Sequence, residues 1–123
     1  MRTFSTILVV LLALEHVWAL VLEMFLWTKP YGRKAFGQTK EQAEATALLA
    51  KNQGLYNGFL AAGLAWGVVA SGPEGFHVKL FFAACVLAAG LYGFATARKV
   101  TILIGQGVLG GVAVASLLFV GAE

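Results

Sequence analysis

The sequence predicts an all-α polytopic membrane protein in which four transmembrane helices form an antiparallel bundle. Of the 123 residues, 59% are hydrophobic and only 12% are charged, whereas about a quarter of the residues in an ordinary soluble domain are charged. The apolar residues fall into four long blocks separated by short polar breaks, which indicates a single membrane domain over residues 1–123. The predicted spans cover about residues 4–27, 52–70, 76–97 and 100–120.

The first span begins near Phe4 and ends near Trp27. A helix of this length covers about 36 Å, which is enough to cross a bilayer with some tilt. Its beginning is similar to a secretory signal peptide, but Glu15 and His16 interrupt the apolar run, which then continues to Trp27. We therefore expect a retained transmembrane helix with Trp27 as an interfacial anchor and Pro30 as its stop.

The second span follows a polar connection, residues 29–51. Within it, Thr39 and Gln42 have the spacing of a capping box, so we expect a helix that begins near Thr39 and runs into the span. The span contains two pairs of glycines spaced by four residues, Gly54 with Gly58 and Gly63 with Gly67. Because the two pairs point to opposite sides of the helix, we expect close packing on two faces.

The third and fourth spans are predicted to form an antiparallel hairpin. Ser71–Gly75 has the composition of a tight turn before the third span. Only two or three residues, beginning with Arg98 and Lys99, separate the third span from the fourth. The fourth span carries a further small-residue pair, Gly107 and Gly111.

The net charge is +3, but the positions of the charged residues indicate a membrane topology rather than nucleic-acid binding. The connections between spans one and two and between spans three and four hold seven of the nine basic residues: Lys29, Arg33, Lys34, Lys40, Lys51, Arg98 and Lys99. The opposite side holds only Arg2 and Lys79. Because basic loops stay in the cytoplasm, both termini are expected on the non-cytoplasmic side. The lipid bilayer is the expected partner, and no nucleic acid is expected.

Three ionisable residues of the first span, Glu15, His16 and Glu23, lie in one arc of about 100°. Such groups are costly at membrane depth and usually functional. Glu15 and His16 lie near mid-span and are candidates for a proton relay. A metal site requires three or four donors, and His77 lies at the opposite interface, so no metal or cofactor is expected. Haem ligated by His16 alone stays open.

Each of the four spans carries a polar residue at a similar depth in the cytoplasmic half. Tyr92 lies about 8 Å before the end of the third span, and Gln106 lies about 9 Å after the start of the fourth. Glu23 is about one turn from the end of the first span, and Asn57 lies near the start of the second. We therefore predict a polar pocket open to the cytoplasm, with the ligand-binding residues Glu23, Asn52, Gln53, Asn57, Tyr92 and Gln106.

Structural interpretations of the same residues stay open. The polar side chains can serve only as interhelical hydrogen bonds, worth about 0.6–2 kcal/mol each. A neutral residue would do this at less cost than Glu23, which favours a functional role for Glu23. The single cysteine, Cys85, is interpreted as a packing residue and excludes a disulfide within the chain. The basic connection 29–51 either sets topology or lies on anionic lipid.

Four stretches of the sequence together resemble a known family: His16 with Glu23–Trp27, Asn52–Gly63, Gly90–Gly93, and Gln106 with Gly107. Over nearly its whole length, the chain resembles the small bacterial four-helix membrane proteins grouped as a domain-of-unknown-function family. The resemblance implies this fold and a bacterial inner (plasma) membrane location. It also implies that the family pattern includes Glu23, Asn52, Gln53, Asn57 and Gln106. Some members carry the automatic label "epimerase", but this sequence has neither a nucleotide motif nor a soluble active-site domain.

Binding or transport of a small molecule, coupled to protons through Glu23, is the function that these observations favour. Small multidrug-resistance transporters have a similar architecture, with four helices and a membrane-embedded glutamate in the first, although the surrounding motifs do not match. A membrane-embedded enzyme acting on a lipid-like or isoprenoid-like substrate, with Glu23 or His16 as acid or base, is an alternative. A non-catalytic scaffold or partner subunit is a further alternative. The glycine faces permit a homodimer as well as packing within one chain.

Overall fold

The computed structural model describes residues 1–121, and every regular element in this range is helical. The five helices are α1 (Arg2–Leu26), α2 (Pro30–Phe36), α3 (Lys40–Val69), α4 (Gly72–Ala97) and α5 (Val100–Val120). Two of them contain π-helical segments, Leu22–Leu26 at the end of α1 and Leu103–Val108 within α5. The prediction of an all-α protein is confirmed.

Three helices, α1, α4 and α5, are long and apolar enough to cross a membrane. They expose large apolar side chains such as Leu14, Phe81 and Phe119, which in water would be unfavourable and in a bilayer contact lipid. The chain is therefore a multi-pass membrane protein. The predicted second span, 52–70, falls in the second half of α3, which is not one of these three helices. The count of four spans is therefore not confirmed.

The chain divides into two compact units. The larger unit contains Met1–Glu15 and the chain from Leu60 onward, and the smaller unit contains His16–Phe59. Helices α1 and α3 contribute residues to both units, α2 belongs to the smaller unit, and α4 and α5 belong to the larger unit.

The larger unit is built around an apolar core to which four helices contribute side chains. Its buried residues are Leu8, Val9, Leu12, Leu64, Ala83, Val86, Ala113 and Leu117. The hairpin of α4 and α5 is confirmed, with Arg98 and Lys99 as the residues between the helices. A Cβ on Gly90 would lie 2.6 Å from the Cα of Gly107. Only glycine therefore permits the two backbones to approach this closely.

The start of α4 differs from the prediction. The helix begins at Gly72, whereas the sequence indicated a turn over Ser71–Gly75 and a span starting near Phe76. Ser71 is extended, with φ −99° and ψ 164°, and Pro73 lies in the first turn of the helix. A proline is tolerated there because backbone N–H groups in the first turn have no intrahelical acceptor, so the N–H that proline lacks costs no helical hydrogen bond. The prediction of a turn over all five residues was wrong for this reason.

The start of α3 agrees with the predicted capping box. The backbone N–H of Thr39 donates to Oε1 of Gln42 (3.0 Å), and the N–H of Gln42 donates to Oγ1 of Thr39 (3.2 Å). These two bonds satisfy donors that the first turn of a helix leaves unpaired. The helix then continues without interruption to Val69, as predicted.

The two glycine pairs of α3 pack against different helices. In the smaller unit, a Cβ on Gly54 or Gly58 would collide with side chains of α1, at Met24 and Leu20 respectively. In the larger unit, Gly63 and Gly67 pack against Phe82 and Lys79 of α4. The prediction of two closely packed faces is confirmed.

Helix α2 was not predicted, because Pro30 was interpreted only as the end of the first helix. Pro30 lies in the first turn of α2, and Gly37 ends the helix in the left-handed conformation, with φ 63°. Proline at the start and glycine just past the end is a recognised helix signal. Gly32 packs directly on the backbone of Leu26, where a Cβ would collide with the carbonyl oxygen. Helix α2 therefore lies against the end of α1.

Candidate functional site

A cavity of about 340 Å³ lies within the smaller unit, between α1, α2 and α3. Its lining residues are Glu23, Trp27, Phe36, Gln38, Thr46, Leu49, Ala50 and Gln53. Cavities of about 300–1,000 Å³ are typical of small-molecule sites. Glu23 is the one lining residue with an ionisable side chain. We refer to this space as the Glu23 cavity.

The two carboxylate oxygens of Glu23 have different surroundings. Oε1 accepts a hydrogen bond of 3.0 Å from Nδ2 of Asn57, whose side chain is buried. Oε2 is buried and has no hydrogen-bond partner within residues 1–121. Because a buried polar atom without a partner is costly, Oε2 would be stabilised by any hydrogen-bond donor that reached it.

Local backbone features bring Glu23 and Asn57 together. Glu23 lies in the π-helical segment Leu22–Leu26, and segments of this kind are frequent at functional sites. Opposite it, a Cβ on Gly54 would lie 3.2 Å from the Cβ of Glu23 and 3.3 Å from the carbonyl oxygen of Leu20. The bare glycine lets α3 approach α1 closely, and Asn57 lies one turn further along α3.

The aromatic wall of the cavity is held by a short chain of hydrogen bonds. Nε1 of Trp27 donates to Oγ1 of Thr46 (3.0 Å), and Thr46 donates to the carbonyl oxygen of Gln42 (2.8 Å). The Trp27 ring packs against Phe36 with centroids 4.6 Å apart. Beside this wall, Oε1 of Gln38 is buried and unpartnered among the described residues. The wall is thus apolar on its ring faces, and its indole N–H is already used.

The predicted site residues divide between the two units. The smaller unit contains His16, Glu23, Asn52, Gln53 and Asn57, and the larger unit contains Glu15, Tyr92 and Gln106. The structure brings Glu23 together with Asn57 through a hydrogen bond and with Gln53 around the cavity. Asn52 is exposed and donates to the backbone oxygen of Leu48 on its own helix (3.2 Å). His16 is only 1% exposed.

In the larger unit, Glu15 packs against the π-helical segment of α5. A Cβ on Gly105 would overlap Oε1 of Glu15, and Oε2 is buried without a partner in the described part of the chain. Gln106 is half-buried in the same segment, whereas Tyr92 is 74% exposed. The ligand-binding roles of Tyr92 and Gln106, and the relay role of Glu15, stay predictions.

Sequence reasoning missed several cavity residues. Phe36 and Gln38 were overlooked together with α2, and the signal that reveals them is the Pro30 and Gly37 pair that bounds this helix. Trp27 was interpreted as a membrane anchor, although its indole N–H bonds to Thr46. Within residues 1–121, no group of three or more His, Cys, Asp or Glu side chains is arranged to hold a metal ion.

Comparison with known proteins identifies the family. The family described as "Protein of unknown function (DUF1304)" matches residues 10–118. "Uncharacterized protein YpaA" of Lactococcus lactis subsp. lactis (strain IL1403) is 33% identical over 120 residues, which cover 96% of this chain and 97% of that protein. No solved structure matches. The predicted resemblance to a domain-of-unknown-function family is thus confirmed, and the chain belongs to the DUF1304 family.

Proposed function

We propose that this protein binds a small molecule in the Glu23 cavity and transports it across a bacterial inner membrane. The observation that carries the proposal is a half-buried carboxylate, Glu23, with one oxygen held by Asn57 and the other buried and unpartnered among the described residues, beside a cavity of about 340 Å³. A residue that served only to join helices would have its polar atoms satisfied by protein. Ionisable side chains in membrane segments commonly mark substrate or ion pathways.

We further propose that the chain crosses the membrane four times, with α3 as the second span and both termini outside the cytoplasm. The support is the uninterrupted course of α3 to Val69, its close packing on two faces, and the concentration of basic residues in 29–51 and 98–99.

Single cysteines at exposed positions test this topology in a Cys85→Ser background. A membrane-impermeant maleimide should label Ser71→Cys in intact cells and Lys34→Cys only after permeabilisation. Labelling of both in intact cells would exclude α3 as a membrane span.

Affinity selection tests binding without assuming a ligand. The full chain in lipid nanodiscs is incubated with a bacterial small-molecule extract, and the retained compounds are identified by mass spectrometry. The Ala50→Phe variant places a ring in the cavity, since Ala50 is a buried lining residue. Compounds retained by the wild type should be lost with Ala50→Phe and kept with Glu41→Gln, a control at an exposed acid of α3. Should Ala50→Phe fail to fold, Ala50→Leu replaces it. The proposal is overturned if the wild type retains no compound. It is also overturned if the Ala50→Phe variant retains the compounds as well as the wild type does.

Proton coupling is tested through Glu23→Gln. Glutamine has a similar size and keeps an oxygen that can accept the bond from Asn57, so the variant is expected to fold. Binding of the retained compound should then lose its dependence on pH. An unchanged pH dependence in this variant would rule out the coupling role of Glu23.

A further inference from the structure

We propose that the ligand of the Glu23 cavity is a lipophilic ammonium, that is, a protonated amine attached to an apolar body. This inference rests on the proposed binding function and adds the chemical class of the ligand. Three features of the cavity lead to it: which hydrogen-bonding atoms are already used, which charge lines the cavity, and what surrounds that charge.

Two buried oxygens of the lining residues lack a hydrogen-bond donor. The indole N–H of Trp27 is already bonded to Thr46, and the hydroxyl of Thr46 donates to the carbonyl oxygen of Gln42. In contrast, Oε2 of Glu23 and Oε1 of Gln38 are buried without a partner within residues 1–121. A molecule that satisfies these two oxygens must donate hydrogen bonds. An ammonium group carries up to three N–H donors and no acceptor.

The charge of the lining favours a cation. Glu23 is the one ionisable lining residue, so no lysine or arginine is present in the lining to pair with an anionic ligand. A carboxylate in an apolar environment is stabilised by a cation that also bonds to it, and such charge-assisted hydrogen bonds are about twice as strong as neutral ones. An anionic ligand would instead place two like charges together.

The rest of the lining favours an organic cation with an apolar body. Trp27 and Phe36 pack together as an aromatic wall, and Leu49 and Ala50 add apolar side chains from α3. Aromatic ring faces attract cations and bury apolar groups. A volume of about 340 Å³ is at the lower end of the range for small-molecule sites. The cavity therefore suits an amine with a body of about one ring.

An ammonium group can come from a free amine or from the headgroup of an aminophospholipid. The two sources share the chemistry that the cavity recognises, and the lipid composition of the nanodisc distinguishes them. In nanodiscs of phosphatidylglycerol alone, no lipid amine is present. If aminophospholipid is the natural ligand, adding phosphatidylethanolamine should weaken the apparent affinity for a soluble amine. If a free amine is the ligand, that affinity should stay the same.

A series of probes with one common ring tests the class. The probes are 2-phenylethylamine, 2-phenylethanol and 3-phenylpropanoate, which differ in the polar group. The reporter is the fluorescence of Trp27 in a Trp18→Phe, Trp66→Phe background, because those two tryptophans are exposed and Trp27 lines the cavity. We expect saturable binding of the amine, an affinity about tenfold lower for the alcohol, and no binding of the carboxylate.

Variants of Glu23 and Gln38 test whether the amine of the probe binds to the carboxylate of Glu23. Glu23→Gln should lower the affinity for 2-phenylethylamine about tenfold or more and leave that for 2-phenylethanol nearly unchanged. The control Glu41→Gln should bind like the wild type. Gln38→Glu adds a second carboxylate to the lining and should tighten amine binding about twofold to fivefold. This variant tests the inference independently of the folding of Glu23→Gln.

The inference is overturned if the alcohol or the carboxylate binds as tightly as the amine. It is also overturned if the extract selection retains compounds that depend on an open cavity but carry no amine. In both cases the binding function itself stands. If the extract selection retains nothing that depends on the cavity, the proposed function fails and the ligand class fails with it.

Discussion

The two units of this protein use their interior in different ways. The larger unit fills its core with apolar side chains and brings α4 and α5 together backbone to backbone at Gly90 and Gly107, while a cavity of about 200 Å³ remains near Arg2, Ala70 and Gly121. The smaller unit also uses glycines to bring α1 and α3 together, but it leaves a cavity of about 340 Å³ beside Glu23. The same packing device therefore accompanies an apolar core in one unit and the Glu23 cavity in the other.

The difference shows what small residues accomplish in a membrane protein. Lipid is as apolar as a leucine side chain, so helices associate through close packing and through hydrogen bonds between helices. In the larger unit, α4 and α5 are in close contact at Gly90 and Gly107. In the smaller unit, close approach at Gly54 accompanies the hydrogen bond from Asn57 to Glu23. Three substitutions test this contrast, from the largest expected effect to the smallest.

Gly90→Leu should break the packing of the larger unit. The new side chain would meet the backbone of Gln106 and Gly107, which cannot move aside as the end of a flexible side chain can. Overpacking typically costs about 1–3 kcal/mol, and here we expect a loss of about 3 kcal/mol or more in the free energy of unfolding. Denaturant titration of the purified protein in detergent measures it.

The matched control for Gly90→Leu is Gly111→Ala on α5. An added Cβ there lies 3.5 Å from Cδ1 of Leu87, an ordinary contact distance, and alanine favours a helix over glycine. The control should be neutral or stabilising. Equal stability of Gly90→Leu and the wild type would show that the two backbones are not in contact.

Asn57→Leu should destabilise the smaller unit by removing the donor to Glu23. Leaving a buried acceptor unpartnered costs about 1–3 kcal/mol. In the double variant Glu23→Leu, Asn57→Leu, both partners are apolar, and most of the lost stability should return. Unfolding midpoints of the wild type, the single variants and the double variant measure the coupling between the two side chains.

Asn52→Leu is the control for Asn57→Leu, because Asn52 is exposed and donates to the backbone oxygen of Leu48 on its own helix. Its effect should stay within about 0.5 kcal/mol. If the double variant is less stable than either single variant, the hydrogen bond between Asn57 and Glu23 does not couple the two helices.

Thr39→Ala should have the smallest effect, because it removes one bond of the capping box at the exposed start of α3. Loss of such a cap costs about 1 kcal/mol. Hydrogen exchange should become faster in the first turn of α3 and stay unchanged in α4. The exposed Thr28→Ala serves as control. If hydrogen exchange in the first turn of α3 is equally fast in Thr39→Ala and the wild type, the capping box does not stabilise the start of this helix.

Local and periodic features of the sequence predicted most of the fold. The capping box at Thr39 located the start of α3, and the spacing of the glycines located its two packed faces, because both depend on residues one turn apart. Glu23 was also identified from the sequence, since a carboxylate within an apolar helix is costly. The extent of α4 and the existence of α2 were missed where a proline signal was misinterpreted.

The sequence by itself determined the helical class and the membrane character of the chain, because hydropathy and helical periodicity are properties of single segments. Tertiary structure alone decided that Asn57 bonds to Oε1 of Glu23 and that Phe36, Gln38 and Thr46 complete the lining of its cavity. These residues come from segments far apart in the chain. Their meeting depends on the course of α2 and on the close approach at Gly54, which no spacing within one helix specifies.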